Sequence, residues 1–231
     1  MRWSSARHWG AEVAGTALLV GIGTGTIVAA ARTGGIPQAG MAVAWFLAVL
    51  VPIALFIEAS GAHLNPAVTL ALALSGRFAW RSVPGYWGSQ LLGALLGSAT
   101  VAATLGRAGH LGATIPTHGQ LVLGFLGEAG FTALLVACVF VVADLGEGAF
   151  RWRILLPPAA VGLSTFVIGP LTGSSLNPAR TLAPALLSAT YTDLGWYFLV
   201  VPAAAVAVAA VWQPRSVDVA DRGLGRRSAD P

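Results

Sequence analysis

Six uninterrupted apolar stretches dominate this chain, near residues 10–31, 40–58, 82–105, 119–142, 154–170 and 194–213. A helix rises about 1.5 Å per residue, so about 20 apolar residues carry it across a hydrocarbon core some 30 Å thick. Inside that core no water satisfies backbone N–H and C=O groups, and only helices and closed barrels can span it. A barrel needs segments of about ten residues in strict alternation, and these runs are continuous. The expected fold class is therefore an all-α integral membrane protein with six transmembrane helices. Composition agrees: 56% of the 231 residues are hydrophobic and 10% are charged, whereas soluble domains carry about 25% charged residues.

The first run follows Arg2 and Arg7 and ends in Ala29-Ala30-Ala31, the outline of a signal peptide. It is too long for a signal h-region and reads as a retained first span. All 13 basic residues are arginine. With the N-terminus inside, Arg2, Arg7, Arg77, Arg81, Arg151, Arg153, Arg215, Arg222, Arg226 and Arg227 are cytoplasmic, and Arg32 and Arg107 face out. That asymmetry sets the orientation and puts both termini in the cytoplasm of a cell-membrane protein. The polar tail, 215–231, reads as cytoplasmic and disordered. No basic face away from the membrane invites nucleic acid. The single cysteine, Cys138, precludes an intramolecular disulfide. No nucleophile–base pair or metal-ligand spacing suggests an enzyme, a metal or a cofactor.

The chain also repeats itself. AEVAGTALLV at 11–20 is echoed by GEAGFTALLV at 127–136, and GAHLNPAVTLALA by GSSLNPARTLAPA. Glu12 to Asn65 is 53 positions and Glu128 to Asn177 is 49. Residues 1–115 form a first repeat and 116–214 a second. Each holds three spans, an odd number, so the second enters the membrane inverted, an arrangement that places sites near the midplane.

Each Asn-Pro-Ala opens an apolar stretch of about ten residues, near 66–75 and 178–188, or about half a bilayer of helix. Asn is a preferred N-cap and Pro suits the first helical position. If the Asn65 and Asn177 oxygens cap, their amide NH₂ groups are free to donate into a cavity. Pro66, Ala67, Pro178 and Ala179 complete the two boxes. The preceding Gly61, Ala62 and His63, and Gly173, Ser174 and Ser175, offer carbonyls to line a passage. One such box is an ordinary helix start; two, at matching positions of a repeat, are a much stronger signal.

These boxes resemble those of the aquaporin and glycerol-facilitator family. Ala11-Glu12 through Val20, Tyr86 through Ala94 with Gln90, Glu128 through Val136, and Gly169-Pro170 through Ala185 also read like family segments. The resemblance covers residues 10 to about 213. It implies six helices with two re-entrant half-helices, assembled as a homotetramer with one pore per subunit. It makes Arg180 the arginine of an outer constriction, and counting along the family pattern adds Trp45, Thr165 and Ser174. A one-turn slip would put Leu163, Ser164 or Ile168 in place of Thr165. It also implies that Glu12 and Glu128 accept hydrogen bonds from the re-entrant loop backbones. Glu58 fits no pattern and is expected at the cytoplasmic mouth. Glycines 21, 23 and 25, and Gly93 and Gly97, are expected at close helix contacts.

The function so implied is a passive channel for water and small uncharged solutes that excludes protons and ions. Water-selective members resemble a Phe, His and Cys set with the arginine. Thr165 is smaller than that histidine, and a Trp in the second helix looks like glycerol facilitators and some plant nodulin-like members. Glycerol, urea or ammonia thus stand beside water. A strictly water-selective channel, a proton-coupled transporter using Glu12 and Glu128, and a closed structural protein are the competing readings.

Overall fold

The computed structural model describes residues 6–145 and 150–212. The tail expected to be disordered, 215–231, lies outside them, as do Arg2, Arg215, Arg222, Arg226 and Arg227. Among the described residues there is no strand. The helices are α1 (Ala6–Thr33), α2 (Gln38–Ser60), α3 (Pro66–Leu74), α4 (Val83–Leu105), α5 (Leu121–Asp144), α6 (Phe150–Thr172), α7 (Pro178–Ser188) and α8 (Leu194–Val211).

Six of these are long and apolar enough to cross a bilayer: α1, α2, α4, α5, α6 and α8. Several run a few residues past the apolar stretches, because helical hydrogen bonding continues into more polar ends such as Arg32-Thr33. The 9 residues of α3 and 11 of α7 reach about 14 and 17 Å, so neither spans. Large apolar side chains such as Leu55, Val122, Leu126 and Leu199 are the most exposed of the spans, an outer surface that suits lipid rather than water.

Packing follows one scheme twice. Helix α1 lies against α2 and α4, and α5 against α6 and α8; α4 crosses to α7 while α8 crosses to α3; α2 meets α6, and α3 meets α7, at the join. Glycine allows the closest of these approaches. A Cβ at Gly93 of α4 would stand 2.3 Å from the Val13 carbonyl oxygen, and one at Gly97 2.5 Å from that of Ala17. The α1 and α4 backbones therefore touch, as small residues permit in membrane helices. Across α2 and α6, a Cβ at Gly162 would stand 3.2 Å from the Ala42 oxygen.

Candidate functional site

The two half-helices begin nose to nose. Asn65 and Asn177 are both extended, with φ −156° and −150°, and each caps the helix that follows. Asn65 Oδ1 accepts from the Ala67 N–H at 2.8 Å; Asn177 Oδ1 accepts from Ala179 at 3.0 Å and Arg180 at 3.2 Å. Pro66 and Pro178 occupy the first turn, where their missing N–H groups cost nothing. The amides then cross over: Asn65 Nδ2 donates to the Leu176 carbonyl at 2.8 Å, and Asn177 Nδ2 to the Leu64 carbonyl at 2.9 Å. An amide nitrogen carries two N–H donors. One of each pair is engaged in this exchange, where the sequence suggested that both would be free, and one remains.

Those carbonyls are available because the loops are wound left-handed. Gly61, Ala62 and Leu64 have φ of 82°, 47° and 53°; Gly173, Ser174 and Leu176 have 76°, 49° and 52°. Glycine adopts this freely, but Ala, Ser and Leu do so at about 1–3 kcal/mol each. A buried carboxylate holds each loop. Glu12 Oε1 accepts from Ser60 Oγ (2.7 Å) and the His63 N–H (2.9 Å), and Oε2 from the Leu64 N–H and Gln90 Nε2 (both 2.8 Å). Glu128 Oε1 accepts from Thr172 Oγ1 (2.6 Å) and the Ser175 N–H (2.8 Å), and Oε2 from the Leu176 N–H (3.0 Å). Tyr86 and Tyr197 donate to the carbonyls of Ser60 and Thr172. Gln90 has no equivalent around Glu128; the corresponding place is Val201.

A cavity of about 210 Å³ runs past the two asparagines. At one end it is bounded by Trp45 and Arg180, at the other by Arg77 and Arg153. The Arg180 guanidinium carbon lies 4.6 Å from the centre of the Trp45 ring, a cation–π stack. Arg180 Nη1 donates to the Gly112 carbonyl at 2.8 Å and Nη2 to that of Gly173 at 3.3 Å, while its buried Nε has no partner. Gly61, Ala62, His63 and Ser175 line the cavity; Gly173, Ser174 and Thr165 do not. The Ser174 hydroxyl turns to Ser164 Oγ, 2.8 Å away. Thr165 is buried with its hydroxyl unpartnered. Of the alternatives to it, Leu163 is half exposed, Ile168 fills the space beside Gly127, and Ser164 holds Ser174.

At the arginine-lined end, Arg77 forms a double contact with Asp144 (2.9 and 3.0 Å) and lies over the Phe140 ring. Arg153 reaches Glu58 at 3.4 Å. Glu58 is exposed and is not itself part of the lining.

Several residues of this site escaped the sequence reading. Ser60 and Thr172 stand five places before each asparagine, and Tyr197 stands 20 places after Asn177 as Tyr86 stands 21 after Asn65, so the repeat itself held the signal. Gln38 could not have been found so. Its Nε2 donates to the Thr165 carbonyl at 2.5 Å and the Phe166 carbonyl at 3.3 Å. Pro170 lacks the N–H that would have bonded Phe166 four residues back, and Gln38 supplies a donor from another helix.

Comparison with known proteins accords with this geometry. The Major intrinsic protein family model matches residues 1–212. The maize (Zea mays) aquaporin NIP1-1 is 40% identical over 204 residues, which are 87% of this chain and 71% of that protein. The rice (Oryza sativa subsp. japonica) aquaporin NIP1-3 is 37% identical over 216 residues, 93% and 74% of the two. Among solved structures, the aquaglyceroporin from Plasmodium falciparum superposes with a TM-score of 0.73 at 29% identity, covering 89% of this chain and 92% of its own. A chain with six membrane spans, paired half-helices and this likeness along its described length belongs to the major intrinsic protein family of membrane channels, and is not an enzyme.

Proposed function

We propose that this chain is a passive pore for water and small uncharged solutes, polyol-sized ones included, that turns away protons and ions. The observation that carries the reading is the pair of capped half-helices meeting beside one cavity. Each helix start carries about half a positive charge, and both face the same stretch of the path. A cation there meets a barrier from two sides. The N–H left on each asparagine can donate to the oxygen of a passing molecule. A water held by both has its lone pairs occupied and its hydrogens turned outward, so a proton wire is broken at that point. Arg180, with an unused Nε, adds a fixed charge at one end.

A polyol-sized solute is favoured by the Trp45–Arg180 stack, which sets an apolar ring beside a donor on the cavity lining, and by the likeness to an aquaglyceroporin. Residues 1–115 and 116–214 act as inverted repeats on this reading, supported by the same loop bonds recurring 112 positions apart. The protein sits in the cell membrane with both termini cytoplasmic, Trp45 and Arg180 outward, and assembles as a homotetramer; the arginine asymmetry and the family support this.

Stopped-flow light scattering on proteoliposomes tests the proposal. Sucrose shock is expected to shrink them faster than empty vesicles, and glycerol shock to be followed by fast re-swelling. An entrapped pH dye should report no proton entry under an imposed potential. Shrinkage no faster than that of empty vesicles, or uptake that stops when a proton gradient is collapsed, would sink it.

A further inference from the structure

We infer that Gly23, in the middle of α1 and outside the cavity lining, sets the width of the constriction by seating the Trp45 indole. This inference rests on the channel reading above. The three nearest atoms to a Cβ built at Gly23 all belong to that ring: Cη2 and Cζ3 at 2.6 Å and Cζ2 at 2.7 Å. Carbon atoms in contact sit about 3.5 Å or more apart, so one methyl at this position displaces the ring by about 0.9 Å.

The ring, rather than the helix, has to give way. Helix α1 cannot back away, because its opposite face is pinned to α4: Gly21 faces Gly97, and Gly97 and Gly93 already touch the α1 backbone. Trp45 is 3% exposed, and its face is stacked on Arg180 beside the cavity. Displacement therefore presses the indole against the guanidinium it already touches, and the pair yields toward the cavity that both side chains line. A general need for glycine in this helix does not explain the position. Eleven residues after Glu12 stands Gly23, but eleven after Glu128 stands Val139; twenty before Asn65 stands Trp45, but twenty before Asn177 stands Pro157. Val139 and Pro157 both line the cavity. The small residue occurs only in the half that carries the indole.

The experiment compares full-length wild type, Gly23→Ala, Gly21→Ala and Gly23→Ala/Trp45→Phe in proteoliposomes, using water, formamide, urea and glycerol. In Gly23→Ala the largest solute conducted is expected to fall by about tenfold or more relative to the smallest, since pore diameter sets selectivity. Gly21→Ala, whose Cβ would meet its nearest neighbour at 3.8 Å, is expected to match wild type. Trp45→Phe, lacking the fused ring, is expected to restore the larger solute in the double variant. An unchanged solute ratio in Gly23→Ala, or no restoration in the double variant, overturns the inference. If Gly23→Ala does not fold, recovery of folded, conducting protein by Trp45→Phe ties the glycine to the indole, and failure of both variants overturns it. Wild-type vesicles that conduct nothing overturn the channel reading instead.

Discussion

Replacing Glu128 by glutamine removes one acceptor from a loop that depends on it. The carboxylate is fully buried and accepts from Thr172 Oγ1, the Ser175 N–H and the Leu176 N–H. A glutamine keeps one acceptor oxygen and offers an NH₂ group in place of the other. Whichever way it turns, a backbone N–H faces a donor. A buried N–H left unsatisfied costs about 1–3 kcal/mol, and the surviving bonds lose the charge that made them worth about 1.5–3 kcal/mol each. The sum is about 3–5 kcal/mol. The loop has somewhere to relax to, because Ser174 and Leu176 are held left-handed, at about 1–3 kcal/mol apiece. Relaxation would also loosen Gly173, whose carbonyl receives Arg180.

Glu12→Gln provides the internal comparison. There the Gln90 amide can turn to present its Oε1, which is buried and without a partner, to the new NH₂, but its Nε2 then leaves Thr69 Oγ1 (3.0 Å) for the place where Oε1 had no partner. The turn recovers no net hydrogen bond, and the loss should match that of Glu128→Gln to within ~1 kcal/mol. Tryptophan fluorescence during thermal unfolding in detergent, at one fixed scan rate, and stopped-flow water permeability give the two readouts. Glu128→Gln is expected to unfold at a clearly lower temperature and to lose most of its permeability, and Glu12→Gln to do so to a similar extent. Wild-type behaviour of either variant refutes the reasoning.

Arg180→Ala removes a fixed charge and its bonds to the Gly112 and Gly173 carbonyls, and should admit larger or charged solutes, read as sorbitol influx or salt conductance. Gly93→Val places side-chain atoms into the Val13 carbonyl and should reduce the folded protein recovered on size exclusion, whereas Gly88→Ala, with nothing within 4 Å of its Cβ, should be neutral or slightly stabilising. Asp144→Ala breaks the Arg77 pair, but its side chain is 48% exposed; the loss should stay within about 1 kcal/mol and shrink as salt is raised, checked by thermal unfolding at two ionic strengths.

The six spans and both half-helices were readable in linear order, and the reason is solvent. Hydrocarbon permits few backbone arrangements, so length and apolarity alone nearly specify the elements. The half-helix starts were readable because capping is local: Asn at the cap and Pro in the first turn act on N–H groups within three residues. Trp45 and Arg180 could be singled out by position. That they stack, and that Gly23 makes room for them, could not, because the contact joins three helices. Thr165 and Ser174 were placed by counting, yet counting does not say where a hydroxyl points; Ser174 turns to Ser164, and the cavity does not reach either residue. The Asn65–Leu176 and Asn177–Leu64 exchange lies across more than 100 residues. Chain order carries the short-range chemistry of each helix. How each helix is rotated about its own axis, and which distant carbonyl meets which amide, is settled when the helices pack and every buried polar group must find a partner without water.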